Sequence, residues 1–375
     1  MSAMAGKRSF LLKSLVTSLW LSFLFLPFKG IKAACILFVV LASTIPLSKY
    51  AIDLFRKIKL PALDLSRFIP SENRLNIVLL VPVLILPFLG QNYIIDVAIL
   101  SGIYIILALG LNVIVGFTGL LNLGFVAFYA IGAYSYALLN TRAGLGFWSA
   151  MPLSVLFATA AGFLLAVPAL RLRGDYLALV TLGFGEIVRL VLNNWDTFTK
   201  GPNGISGIAP PYFIDMQIGR LSSFYYLVLV FVLINIFVMR RVKNSKTGRA
   251  WIAIREDETV SSAMGINTIM YKLFACAFGA FWAGVAGTLF AAKMRFVSPE
   301  SFSFMESVLV LCMVIIGGVG SIAGVIIGAL VLVFLPEVLR EVQMYRMLAL
   351  GSGLVFLMVF RPRGLFGGKH ASPGS

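Results

Sequence analysis

The sequence predicts an all-α, polytopic membrane protein with about 10–12 transmembrane or partial helices, each crossing needing roughly 18–20 apolar residues. Three observations carry this prediction. Apolar residues make up 60% of the 375-residue chain and charged residues 12%, against roughly half and a quarter in soluble domains. Apolar runs that approach or reach crossing length follow one another along the chain. The basic excess, a net charge of +16, sits between those runs, as in RRVKNSKTGR (240–249) and RPRGLFGGK (361–369). No polar segment carries a Lys/Arg face with interleaved aromatics. The positive-inside rule therefore explains the charge without a nucleic-acid partner.

The elements follow in order. Lys7, Arg8 and Lys13 precede the apolar LVTSLWLSFLFLP. This is the order of a signal peptide, but no A-x-A site follows, so an uncleaved first helix is expected. A second run, 33–47, follows Lys29 and Lys32. Residues 49–74 form a basic linker that closes an N-terminal extension, 1–74. A core, 75–364, and a short tail, 365–375, follow. Core spans are predicted at 75–89, 94–115, 122–140, 150–170, 176–192, 222–239, 273–292, 308–316, 322–335 and 347–360. Several are short, as tilted, partial or re-entrant helices are.

Orientation can be counted. With 240–255 inside, 193–220 falls outside, and Arg171, Arg173, the linker 49–74, Arg361, Arg363 and both termini fall inside. About two-thirds of the basic residues then lie on the cytoplasmic side. The count leaves Lys29 and Lys32 outside; alternatively, the first segment lies along the interface. The longest non-membrane pieces, 193–220 and 240–271, are too short for a separate domain.

Several chemistries lack their residues. Cys35, Cys276 and Cys312 have no C-x-x-C partner, and His370 is the lone histidine, so no metal site or disulfide framework is expected. Lys246-Thr247 and Lys13-Ser14 lack the glycines of a phosphate-binding P-loop. If transport uses ATP, another subunit hydrolyses it. Gly318-Val-Gly320-Ser-Ile-Ala323 matches the dinucleotide fingerprint, with Glu337 some distance on. That motif needs a soluble βαβ unit, whereas 307–336 has no charged residue. The expected reading is a helical hairpin whose Gly320, Gly324 and Gly328 share one helix face for close packing.

Four other stretches are candidates for function. Residues 248–272 are polar and helix-compatible, with Arg255, Glu256, Asp257 and Glu258 before a closing Gly265. A short helix there is a docking device for a soluble partner; the alternative is a solvated loop. Asn112, Asn122, Glu186 and Arg189 are polar residues inside apolar runs, where such groups face a bundle interior or an aqueous path. Glu186 and Arg189 are spaced to pair on one helix face. GFTGLLNLGF (116–125) reads as a tight cytoplasmic turn or a broken helix near the pathway. GPNGISGI (201–208), with Pro202, Asn203 and Gly204, is a turn-rich outer loop that either connects spans or touches an external partner.

The blocks at 104–139, 172–205, 248–266 and 317–329 resemble the LivM-type permeases of bacterial branched-chain amino-acid ABC importers, over about 75–364. The resemblance implies a multi-pass inner-membrane subunit that is not itself an enzyme and binds no cofactor. It implies a second homologous permease, two ABC ATPase subunits that use the ATP, and a periplasmic binding protein that delivers leucine, isoleucine or valine. Related permeases carry urea, short amides or other amino acids. The resemblance also implies ATPase docking at 255–265, although TVSSAMG (259–265) keeps only the last glycine of the usual Glu-Ala-Ala…Gly coupling motif. A stand-alone secondary transporter is the alternative class, with Glu186 and Asp96 as its coupling carboxylates.

Overall fold

The computed structural model describes residues 86–87, 92–169, 174–213, 216–217 and 221–338. The predicted extension 1–74, nearly all of the span 75–89, the span 347–360 and the tail 365–375 lie outside the described residues.

The described chain is helical, as predicted. The order is α1 (Asn92–Leu111), α2 (Val126–Thr141), α3 (Phe147–Ala169), α4 (Asp175–Asn194), the short α5 (Asp196–Thr199), α6 (Leu221–Lys243), α7 (Lys246–Glu256), α8 (Glu258–Ala263), α9 (Thr268–Met294), α10 (Phe304–Gly317) and α11 (Ile322–Val338). Five of these, α1, α3, α4, α6 and α9, are long and apolar enough to cross a membrane; α2, α10 and α11 are shorter. Four two-residue strands complete the set: β1 (Ile205–Ser206), β2 (Tyr212–Phe213), β3 (Met216–Gln217) and β4 (Phe296–Val297).

α9 is the hub. It packs against α1, α2 and α3, and it can do so because its sequence is small-residue-rich. A Cβ on Gly284 would meet the Ala158 Cβ of α3 at 2.7 Å, and one on Gly132 of α2 would meet the Gly284 backbone at 2.7 Å. Gly279 lies against Ile114 and the Gly110 carbonyl of α1. Where lipid removes the hydrophobic drive between helices, such close backbone approach supplies van der Waals contact instead.

Loops collect at two ends. At one, β1 pairs with β4, and Arg142 donates to the carbonyls of Thr197 and Phe198. At the other lie Arg240, Arg241 and Lys243 of the last turn of α6, followed by α7 and α8. This sorting agrees with the alternation read from the charges.

Two expectations need correction. Gly320 does not share a helix face with Gly324 and Gly328. α11 begins at Ile322, and Gly320 occupies the turn before it at φ +85°. The seam is instead Gly324 and Gly328 of α11 against Gly317 of α10: a Cβ on Gly324 would overlap the Gly317 carbonyl, and one on Gly328 the Met313 carbonyl. Nor does 116–125 form a tight turn at the membrane edge. α1 runs on into a π-helical turn, Asn112–Phe117, and the chain then turns back until Phe125 lies against Gly110. At 1.5 Å per residue, Gly110 is about 10 Å back from Phe117. α2 therefore starts within the bundle, and 118–125 is the broken-helix alternative.

The seam has a measurable consequence. Gly324→Leu drives a side chain into the α10 backbone and is expected to destabilise the protein by about 1–3 kcal/mol or more, read as a lower thermal midpoint in detergent. An unchanged midpoint would remove the seam from the account.

Candidate functional site

The site lies at the basic end, where α7 and α8 leave the bundle. Ser245 caps α7, its hydroxyl accepting from the Gly248 N–H at 3.3 Å. The buried face of α7 carries Ala250, Trp251 and Ile254. Trp251 donates its indole N–H to the Tyr271 carbonyl at 2.8 Å and lays its ring against Phe274. These contacts press α7 onto the start of α9.

Asp257 then breaks the helix. Its backbone is extended, and one carboxylate oxygen accepts from the N–H groups of Thr259 and Val260 at 2.8 and 3.0 Å, capping α8. Gly265, at φ +85°, ends α8, and the Asn267 side chain caps α9. Glu258 reaches Lys272 of α9 at 2.6 Å, which pairs a cation that is only 6% exposed. The stretch before Gly265, expected to form one short helix with a second helix after the glycine, thus holds two, with Asp257 as the joint. Glu256 and Asp257 are exposed. Val260 and Met264, one turn apart on α8, are 58% and 79% exposed.

Arg255 is exposed too, but its head group turns back toward the bundle. Its guanidinium donates to the Gly116 carbonyl of the π turn at 2.5 Å. Gly119, at φ +72°, lies against its stem, and Gly320 lies against its head. Asn112, on the same π turn, accepts the Gly320 N–H at 2.9 Å, and Lys243 at the end of α6 reaches the Gly320 carbonyl at 3.4 Å. One cluster therefore joins α1, α6, α7 and the α10–α11 turn. π turns inside α-helices mark functional sites often enough to fit this placement.

The other expected residues fall apart from this cluster. Asn122 is buried, at 3% exposure, as is Asn112 of the cluster, at 1%. Asn122 accepts the Gly124 N–H at 3.0 Å and lines a small cleft with Thr181, Lys272 and Cys276. Glu186 pairs with Arg189 at 2.8 Å on α4. Pro202 and Asn203 are exposed at the far end, while Gly204 is buried against Val297 and Ser298, where no Cβ would fit.

Gly116, Lys243 and Lys272 were not singled out from sequence. Their partners lie 139, 77 and 14 residues away, and no local pattern announces them. Glu306 was missed too, although Ser303-x-x-Glu306 has the capping-box spacing. Its carboxylate instead takes the Tyr104 hydroxyl of α1 at 2.8 Å.

A bundle with five helices long and apolar enough to cross a membrane, and a peripheral helix pair tied into its turns, has the architecture of a polytopic membrane protein. The family described as "Branched-chain amino acid transport system / permease component" matches residues 93–360, and the chain belongs to it. It is 47% identical, over 82% of its length and 78% of the relative's, to the high-affinity branched-chain amino acid transport system permease protein LivM of Escherichia coli K12. It is 23% identical to the corresponding LivH of Salmonella typhimurium LT2, over 72% of this chain and 92% of that one. A probable LivM of Methanocaldococcus jannaschii is 25% identical over 71% of this chain and 86% of the relative. No solved structure matches.

Asn112→Ala leaves the Gly320 N–H without its acceptor. The expected loss is about 1–3 kcal/mol of stability, measured by unfolding of the purified protein. Wild-type stability would mean that the turn finds another acceptor. Asp257→Ala should cost about 1 kcal/mol through the lost cap, and Asp257→Asn much less. Equal losses would assign Asp257 to charge rather than capping.

Proposed function

We propose that this chain is the permease subunit of an ATP-driven importer that translocates branched-chain amino acids, leucine, isoleucine and valine, across the inner membrane. A periplasmic binding protein delivers the solute to the far end. Two ABC ATPases bind the basic end, which faces the cytoplasm together with both termini. The ATP is used by those subunits, and a second homologous permease completes the membrane portion. Family membership supports the transport class, and the relatives' printed substrates support the solute.

The observation that carries the coupling part of this reading is the α7–α8 pair. Its outer side offers Glu256, Val260 and Met264 to a soluble partner. Its inner side hands displacement to the membrane helices through Arg255, Trp251 and the Glu258–Lys272 pair. A push on α8 is thereby a push on α1, α9 and the α10–α11 turn. Asn122, within the broken segment 118–125, and Glu186 are the pathway candidates this reading keeps; Pro202 and Asn203 are the exposed candidates for binding-protein contact.

Two outcomes are expected on reconstitution. The chain alone hydrolyses no ATP, and with its ATPases and binding protein it drives leucine uptake. Glu256→Lys, which spares the Asp257 cap, lowers uptake by roughly tenfold while the chain remains in the membrane. Normal uptake by Glu256→Lys would remove the docking assignment; ATPase activity of the isolated chain would remove the subunit reading.

A further inference from the structure

The exposed face of α4 differs from those of α3 and α6. α3 and α6 also turn large apolar side chains outward, among them Leu156, Leu164, Val230 and Phe237. Neither helix has an acidic or basic residue outside the basic last turn of α6. Those faces suit lipid. α4 has the smallest buried share of the five long helices, 17% of its apolar window, yet it carries an ion pair. Glu186 lies roughly 12 Å or more from either end of α4 at 1.5 Å per residue. The Glu186 and Arg189 side chains are 32% and 37% exposed. Charges at that depth ordinarily face protein or water, not hydrocarbon.

A second, independent observation lies on the same face. Every other glycine described within these helices would place a Cβ against a neighbouring atom, but a Cβ on Gly183 would meet nothing within 4 Å. Gly183, Glu186, Ile187 and Leu190 follow the i, i+3, i+4, i+7 spacing of one helix face. Ile187 and Leu190 are 59% and 50% exposed. The opposite face of α4 is occupied by this chain: Phe184 meets Phe128, and Gly185 lies against Gly124. A glycine on a membrane helix serves close approach of another helix, and among the described helices of this chain none takes that place.

We propose that this α4 face is where the second, homologous permease subunit packs, with one of its helices seated at Gly183 and a polar group of that helix meeting the Glu186–Arg189 pair. Polar side chains between membrane helices pair across the interface, which suits an ion pair left one-third open. The proposal rests on the importer reading above, since that reading supplies the second permease, and it commits to the helix that receives it.

The test is cross-linking in membranes that contain the whole complex. Ile187→Cys, treated with a short thiol-directed photo-cross-linker, is expected to yield a product containing the second permease. Leu164→Cys, on the lipid-suited face of α3, is expected to yield none. Gly183→Leu is expected to reduce recovery of the second permease with this chain by about tenfold, with Gly183→Ala close to wild type and membrane levels of this chain unchanged. A product from Leu164→Cys but not from Ile187→Cys would overturn the α4 assignment and leave the importer reading standing. Unchanged recovery with Gly183→Leu would also overturn it. Failure of the unmodified chain to recover any second permease would instead strike the importer reading, and the proposal with it.

Discussion

Inside a bilayer, a backbone N–H or C=O without a partner costs several kcal/mol, and that constraint organises this protein. The chain breaks its helices at the end of α1 and between α10 and α11, where intrahelical hydrogen bonds run out. Side chains from elsewhere take over. Asn112 accepts the Gly320 N–H, Arg255 donates to the Gly116 carbonyl and Lys243 reaches the Gly320 carbonyl. Leu120 folds back to the Ile114 carbonyl at 3.1 Å and Thr118 to the Val113 carbonyl at 3.3 Å. The breaks persist because the repairs are present.

The same repairs connect what would otherwise be separate parts. A capped helix tip could move alone. Here the Gly116 carbonyl and both backbone groups of Gly320 are met from other elements, so α1, α6, α7 and the hairpin turn share their hydrogen bonds. Glycines at 119 and 320 let Arg255 lie against backbone, which shortens the link. Where α8 docks a partner, its movement reaches the bundle through hydrogen bonds and packed rings rather than through a flexible loop.

What was legible in the sequence follows from period and composition. Long apolar runs announced α1, α3, α4, α6 and α9, and their alternation announced that 193–220 and 240–255 lie at opposite ends of the bundle. The glycines of 317–328 announced a packed hairpin rather than a nucleotide cradle, although the place of Gly320 was missed because a turn and a helix start share the same local spacing. The re-entry of 118–125 is one of two readings the sequence allows, since only the distant contacts of Phe125 and Gly124 decide it. Arg255, Glu256, Asp257 and Glu258 were read as one charged group. Their division of labour, one facing inward, one capping, one pairing with Lys272 and one left to the surface, depends on which side of a short helix each occupies. That is set by tertiary packing around Trp251.

The central claim is that Arg255 and Asn112 serve one mechanical link between the docking helices and the membrane turns. A double-mutant cycle tests it most directly, with leucine uptake per ATP hydrolysed measured for Asn112→Ala, Arg255→Ala and the pair in the reconstituted complex. The account predicts strong non-additivity, the double variant being little worse than the poorer single one. Losses that simply multiply would contradict it, since two independent defects do not share a link.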